Sequence, residues 1–378
     1  MVLYERVITQ VALAAVAVAA GPALAAGDGE APAGVDSGLH LVSYRTAGSV
    51  AVDGKDGGEW AAAAPLIVTV DELPYKPDTG YRGIDATDVE IRSLHDEGHL
   101  YMLFRWADPT LSTARWPWVK QADGGWKQMK ALDSTGHEND WYEDKLSVFW
   151  HINERGFEKK GCDMSCHIAA DGWLDGVRDS SAGRHYTDQP GETLDMWHWK
   201  SARTNPVGQA DDQFVNDDRK DGPGNWGRNS DIKHGGGYFT NINADKTGPA
   251  WMSARGGDSN YVLDAEKVPF DDSRFKAGDM LGGVVAAPFI GPEADVTATG
   301  RWHDGEWTLE IRRALVTTGE GSDMHDVQFT DLSKPYHFGV GVFDNTQINH
   351  LYHRKAITMT FEPAYTAGLD GSEQEARR

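Results

Sequence analysis

HLYMLFRWADPT, residues 99–110, sets Leu100, Met102 and Phe104 at alternate positions ahead of an Asp-Pro turn. A period of two marks a strand with one buried face. The pattern recurs outward in both directions, at Val89 and Ile91, at Trp307, Leu309 and Ile311, and at Ile357, Met359 and Phe361. Apolar runs over 65–70, 146–152, 281–289 and 336–343 add four more strands. Asp53-Gly54, Asp304-Gly305 and Asp344-Asn345 supply turn signals between them. No long segment with a helical period competes, so the chain reads as mainly β, a sandwich with long loop insertions and few short helices.

Composition narrows the function. The 378 residues carry 36 Lys+Arg against 58 Asp+Glu, a formal charge of −22. Such a balance repels phosphate backbones, and no basic patch offsets it, which excludes a nucleic-acid role. With 40% hydrophobic residues the chain is too apolar to be disordered. Beyond its first 25 residues it is too polar to span a membrane.

Residues 1–30 hold an early Arg6, an apolar run over 11–20, a Gly21-Pro22 break and Ala23-Leu24-Ala25 as a small-x-small cleavage site. Residues 1–25 therefore read as a signal peptide, with a membrane anchor as the alternative, and predict a periplasmic protein without a stable span after cleavage. Residues 26–47 read as a flexible N-terminal segment, 48–362 as the sandwich domain and 363–378 as a disordered tail. Between about 201 and 279 the composition shifts to Gly, Asp, Asn and Lys, which reads as one long insertion. Its Asp211, Asp212, Asp217 and Asp218 suit either calcium or, more simply, a solvated acidic loop.

Only two cysteines are present, in Gly161-Cys-Asp-Met-Ser-Cys-His167. Cys162, Cys166 and His167 form C-x3-C-H, one residue longer than the C-x2-C-H of c-type haem attachment. The second Cys still adjoins the His, so two thioethers and a proximal imidazole remain chemically reasonable. A disulfide between Cys162 and Cys166 and a zinc site are alternatives that the spacing leaves open.

Three stretches resemble one family. Val52-Asp53-Gly54-Lys55 with Glu59-Trp60 is similar to the opening of a sandwich module shared with some carbohydrate-binding domains. HLYMLFRWADPT at 99–110 and DMWHWKSARTNPVGQADDQ at 195–213 resemble the haem-binding domain of ethylbenzene dehydrogenase and its relatives. The resemblance runs from about Gly48 to Phe361 and implies an immunoglobulin-like or carbohydrate-binding-module-like sandwich holding one haem. In the small subunit of molybdenum enzymes of the dimethyl sulfoxide reductase class, that haem is b-type with Met and Lys ligands. Secreted relatives carry Cys-x-x-Cys-His and are similar to c-type cytochromes. The thiol pair aligns this chain with the second group, so haem c is expected and haem b is the alternative.

His167 is then the proximal iron ligand. For the distal position, MWHWK places Trp197 and Trp199 on one face and Met196, His198 and Lys200 on the other. His198 leads the candidates, followed by His303, Met196 and Met164, with His350 and His353 behind. Arg203 could pair with a haem propionate. The expected function is a mono-haem electron-transfer protein serving a redox partner, a molybdenum enzyme or another cytochrome, without catalysis of its own. A secreted ligand-binding sandwich without haem and a haem enzyme with an open axial site are the alternatives.

Overall fold

The computed structural model describes residues 38–362 except 49, 75–79, 135, 169–172, 175, 179–182, 220–225 and 258. The expected signal peptide and C-terminal tail lie outside the described residues.

The principal sheet has thirteen strands among the described residues: β1 (His40–Arg45), β2 (Leu66–Val70), β3 (Thr87–His95), β4 (His99–Ala107), β5 (Lys145–His151), β6 (Leu194–Lys200), β7 (Asp211–Val215), β8 (Arg228–Ser230), β9 (Thr297–His303), β10 (Glu306–Ala314), β11 (Tyr336–Phe343), β12 (Leu351–Tyr352) and β13 (Ile357–Phe361). Their order is β8-β7-β6-β5-β11-β13-β1-β3-β4-β10-β9, with β2 beside β3 and β12 beside β11. This long sheet curls until its two halves face each other as a β-sandwich. Trp199 of β6 meets Trp307 of β10 with ring centroids 4.9 Å apart and Trp106 of β4 at 6.1 Å. Those strands are far apart in the sheet order, so the contact can only be made across the core. Every expected alternating strand contributes to that core, including Val89, Ile91, Met102, Phe104, Leu309, Ile311, Ile357 and Met359. Large aromatics buried this way dominate core energetics. At Gly300 a Cβ would lie 2.4 Å from the Trp199 ring, so the bare backbone of β9 is what lets the indole in.

Two expectations about organisation are corrected. Residues 26–47 are not flexible throughout, because His40–Arg45 pairs in parallel with β13 on one side and β3 on the other. It forms the seam where one half of the sheet passes into the other. Nor is 201–279 one loop: Asp211–Val215 is a fully buried strand of the principal sheet. Arg228–Ser230 pairs beside it in the same sheet, and Gly235–Thr240, Trp251–Ser253 and Val262–Leu263 join small sheets near a separate core of Trp118, Met252, Val262, Phe275, Leu281 and Val285. The opening motif is anchored by buried Glu310, whose carboxylate accepts Trp60 Nε1–H at 2.7 Å and the amides of Asp53 and Gly54 at 2.7 Å each.

Candidate functional site

The strand period sorts β5, β6 and β11 into two faces. Leu146, Val148, Trp150, Trp197, Trp199, Phe338, Val340 and Val342 enter the sandwich core. Their neighbours point the other way, and there Ser147, Phe149, Met196, His198 and Phe343 line a cavity of about 290 Å³. The register sets Met196 opposite Phe149 and His198 opposite Ser147. Gly339 and Gly341 keep this outer face of β11 low. A Cβ at 339 would lie 2.5 Å from Cys162 Sγ, and one at 341 would lie 3.3 Å from His350 Cδ2.

The Cys-containing segment borders that cavity. A 3-10 turn at Gly161–Met164 places Cys162 in a cluster with Phe149 and Met196. Cys166–Ile168 then pairs with Gly183–His185 so that Cys166 lies opposite His185, a residue of the cavity wall. Both cysteines are free thiols. Burial pushes both pKa values up, that of Cys166 to about 12, so both stay protonated. Arg184 and the exposed Arg228 also stand on the wall, with Trp226, Gln347 and Ile348.

Four histidines line the cavity, His137, His185, His198 and His350. His185 and His350 lie with ring centroids 6.0 Å apart, and Phe343 stands 5.7 Å from His198 and 4.7 Å from His350. Burial is the largest cause that lowers three of them, His185 to about 3, His350 to about 4 and His198 well below its usual value. These three are neutral at physiological pH, the form that ligates metals. His198 Nδ1 donates to Gln213 Oε1 at 3.3 Å, which leaves the lone pair on Nε2, and that buried atom has no hydrogen-bond partner. His185 Nδ1 is likewise buried without a partner. Neutral imidazoles, the Met196 thioether and adjacent thiols between aromatic walls make a donor set that fits haem iron.

The sequence matches the model of the ethylbenzene dehydrogenase family over residues 58–355. The chain belongs to that family. The family match encloses every cavity residue named above. Among solved structures the chain is similar to a family 9 carbohydrate binding module from Caldicellulosiruptor kristjanssonii in complex with glucose, at 10% identity, covering 87% of this chain and 98% of that one with a TM-score of 0.32. The same module in complex with cellotriose gives 10% identity, 87% and 97% coverage and a TM-score of 0.31. No curated protein matches.

Within this family member, the residues singled out from sequence separate into two groups. Met196, His198 and His350 share the cavity, the first two as the MWHWK alternation predicts, and Cys162 and Cys166 flank it. The others lie elsewhere. His167 stacks on Tyr186 at 3.6 Å, its Nε2 lies 3.0 Å from the Tyr186 carbonyl oxygen, and it does not line the cavity. Met164 folds back toward Gly156. His303 is almost fully exposed at the β9–β10 turn, 3.2 Å from Asp304. His353 Nε2 accepts the Val340 amide at 3.1 Å. Arg203 is buried and ion-paired with Glu143, so its guanidinium is already committed within the protein. His185, Arg184 and Arg228 were missed, since they fall in polar stretches without periodicity. The alternating glycines of Tyr-His-Phe-Gly-Val-Gly-Val-Phe (336–343) were the available signal that one face of β11 is kept open.

Proposed function

We propose that this protein is a haem-carrying electron-transfer member of its family, exported to the periplasm and serving a redox enzyme. The observation that carries the reading is the buried, unpartnered Nε2 of His198, held in its tautomer by Gln213 on the wall of a cavity flanked by both thiols. In this reading Cys162 and Cys166 anchor the haem covalently and His198 ligates its iron from β6. A second ligand would come from the segment after Cys162, His167 by its place in the motif or His185 by its place in the cavity. Phe149 and Phe343 would exclude water from the bound group, and Arg228 would offer a guanidinium to a propionate. The haem supplies a one-electron couple when bound. A net charge of −22 favours a salt-sensitive encounter with a basic redox partner.

The test is production of the full chain in a host that matures c-type cytochromes, followed by a pyridine haemochrome spectrum and denaturing extraction. Haem that stays with the denatured chain and turns from low-spin to high-spin in His198→Ala is the expected result. Comparing His167→Ala with His185→Ala then identifies the second ligand by the same spectral change. Haem that extracts into acidic acetone assigns a b-type site with Met196 as the sulfur candidate. A folded chain from that host without haem overturns the proposal.

A further inference from the structure

A second buried constellation lies apart from the cavity. Asp195 at the start of β6, Asp212 in β7 and Asp326, just after the short helix Ser322–His325, bring carboxylate oxygens within 4.8 Å of one another. All three side chains are buried, Asp195 and Asp212 at 0% exposure and Asp326 at 2%. Arg313 of β10 is the one cation paired with them among the described residues, 3.2 Å from Asp326 and 3.5 Å from Asp195. Asp231 adds a fourth carboxylate beside Asp326. One guanidinium against four carboxyl groups leaves a large uncompensated charge if they are ionised, and buried charge persists only when paired or metal-bound.

The hydrogen bonding shows which oxygens lack a partner. Asp195 Oδ2 accepts Trp197 Nε1–H at 3.1 Å and the Val327 amide at 3.0 Å, and Asp326 Oδ2 accepts the Thr317 hydroxyl. Asp195 Oδ1, Asp326 Oδ1, Asp231 Oδ1 and both oxygens of Asp212 are buried without any donor. Two of the three carboxylates are thus oriented through one oxygen and offer the other, while Asp212 offers both. The other buried triad, Asp108, Asp144 and Asp344, behaves differently. There the Ser112, Asn345 and Ile84 amides, Trp307 Nε1–H and Thr110 supply donors, and Asp108 Oδ2 is the single oxygen without one.

We infer that Asp195, Asp212 and Asp326 form a calcium site. Two Ca–O bonds of about 2.4 Å bridge a separation of this size. An all-carboxylate donor set selects a hard cation over zinc or copper, and an enclosed protein cage suits calcium better than magnesium, which retains several waters. The ion would tie β6 and β7 of one layer to the Arg313 strand, β10, of the other, through the segment that carries Asp326.

Thermal unfolding of the chelator-treated full chain tests this. Millimolar calcium chloride is expected to raise the midpoint by several degrees, because a ligand that binds only the folded state stabilises it by mass action. The shift should vanish in Asp212→Asn and persist in Asp108→Asn. No shift with calcium, an equal shift in Asp212→Asn, or an equal shift with magnesium overturns the assignment. Terbium titration of the intact protein keeps the test open if Asp212→Asn does not fold. Emission excited through Trp197, displaced by calcium and reduced in Trp197→Phe, supports the site; no calcium-displaceable emission overturns it.

Discussion

At β6 a step of one residue decides what a side chain meets. Trp197 enters the core, and His198 turns to the cavity with its Nε2 unpartnered. Charged residues follow no such simple rule. Arg203 reads as a surface residue, yet it is buried against Glu143, whose Oε2 also accepts the Ala202 and Arg203 amides at 2.8 and 3.0 Å. The partner is distant in sequence, so nothing local announces the pair. Glu154 is a third case, nearly inaccessible with neither carboxylate oxygen bonded. Burial, then the negative charges of Glu192 and Asp188, raise its pKa to about 8. The folded state therefore holds the proton more tightly than the unfolded state. Its favourable contribution is complete below the unfolded pKa near 4.5 and is lost as pH rises to about 8. Glu154→Gln is expected to be more stable than the parent at pH 8 by a few kcal/mol and to match it near pH 4. Urea unfolding at the two pH values checks this, and equal stability of the two proteins at pH 8 rules out a buried protonated Glu154.

Among the elements, β1 carries the most structural consequence for its length. Leu41 is 1% exposed in the principal core, and the strand pairs on both edges. Leu41→Ala is expected to cost about 2–5 kcal/mol, the range for truncating a buried leucine, measured as a lower urea midpoint with unchanged m. A truly flexible segment would show no loss. The reason β1 escapes a sequence reading is visible in HLVSYR, whose buried face presents Leu41 and Ser43 and so lacks an apolar alternation. Asp211–Val215 escapes for a related reason: all five residues are buried, but the first two are Asp. By contrast β3, β4, β10 and β13 were legible because each sends alternate apolar residues into the core, even where, as at Tyr101 and Leu103 of β4, the other face is buried in a second cluster. The cavity was half legible. MWHWK revealed Met196 and His198 through its period, whereas His185 reaches the wall through a pairing with Cys166 that no periodicity encodes.

For the molecule as a whole, a charge of −22 works against compactness through self-repulsion. Sodium chloride raised from low to physiological strength should lift the thermal midpoint by a few degrees as the repulsion is screened. A midpoint that falls instead would mean that attractive surface pairs such as Arg354–Glu72, at 2.8 Å, outweigh the net charge. No helix among the described residues is long and apolar enough to cross a membrane.

The seam formed by β1 also orders events in time. During synthesis or threading from the N-terminus, residues 40–45 emerge early, yet one of their two partners, 357–361, emerges near the end of the described chain. Until then the slot between β11 and β3 has no permanent occupant on one side, and its unpaired backbone is open to strands from other chains. Contacts of such sequence separation close slowly. A chain interrupted before residue 357 would therefore be expected to aggregate, and a holdase that shields β1 during delivery would shorten the interval at greatest risk.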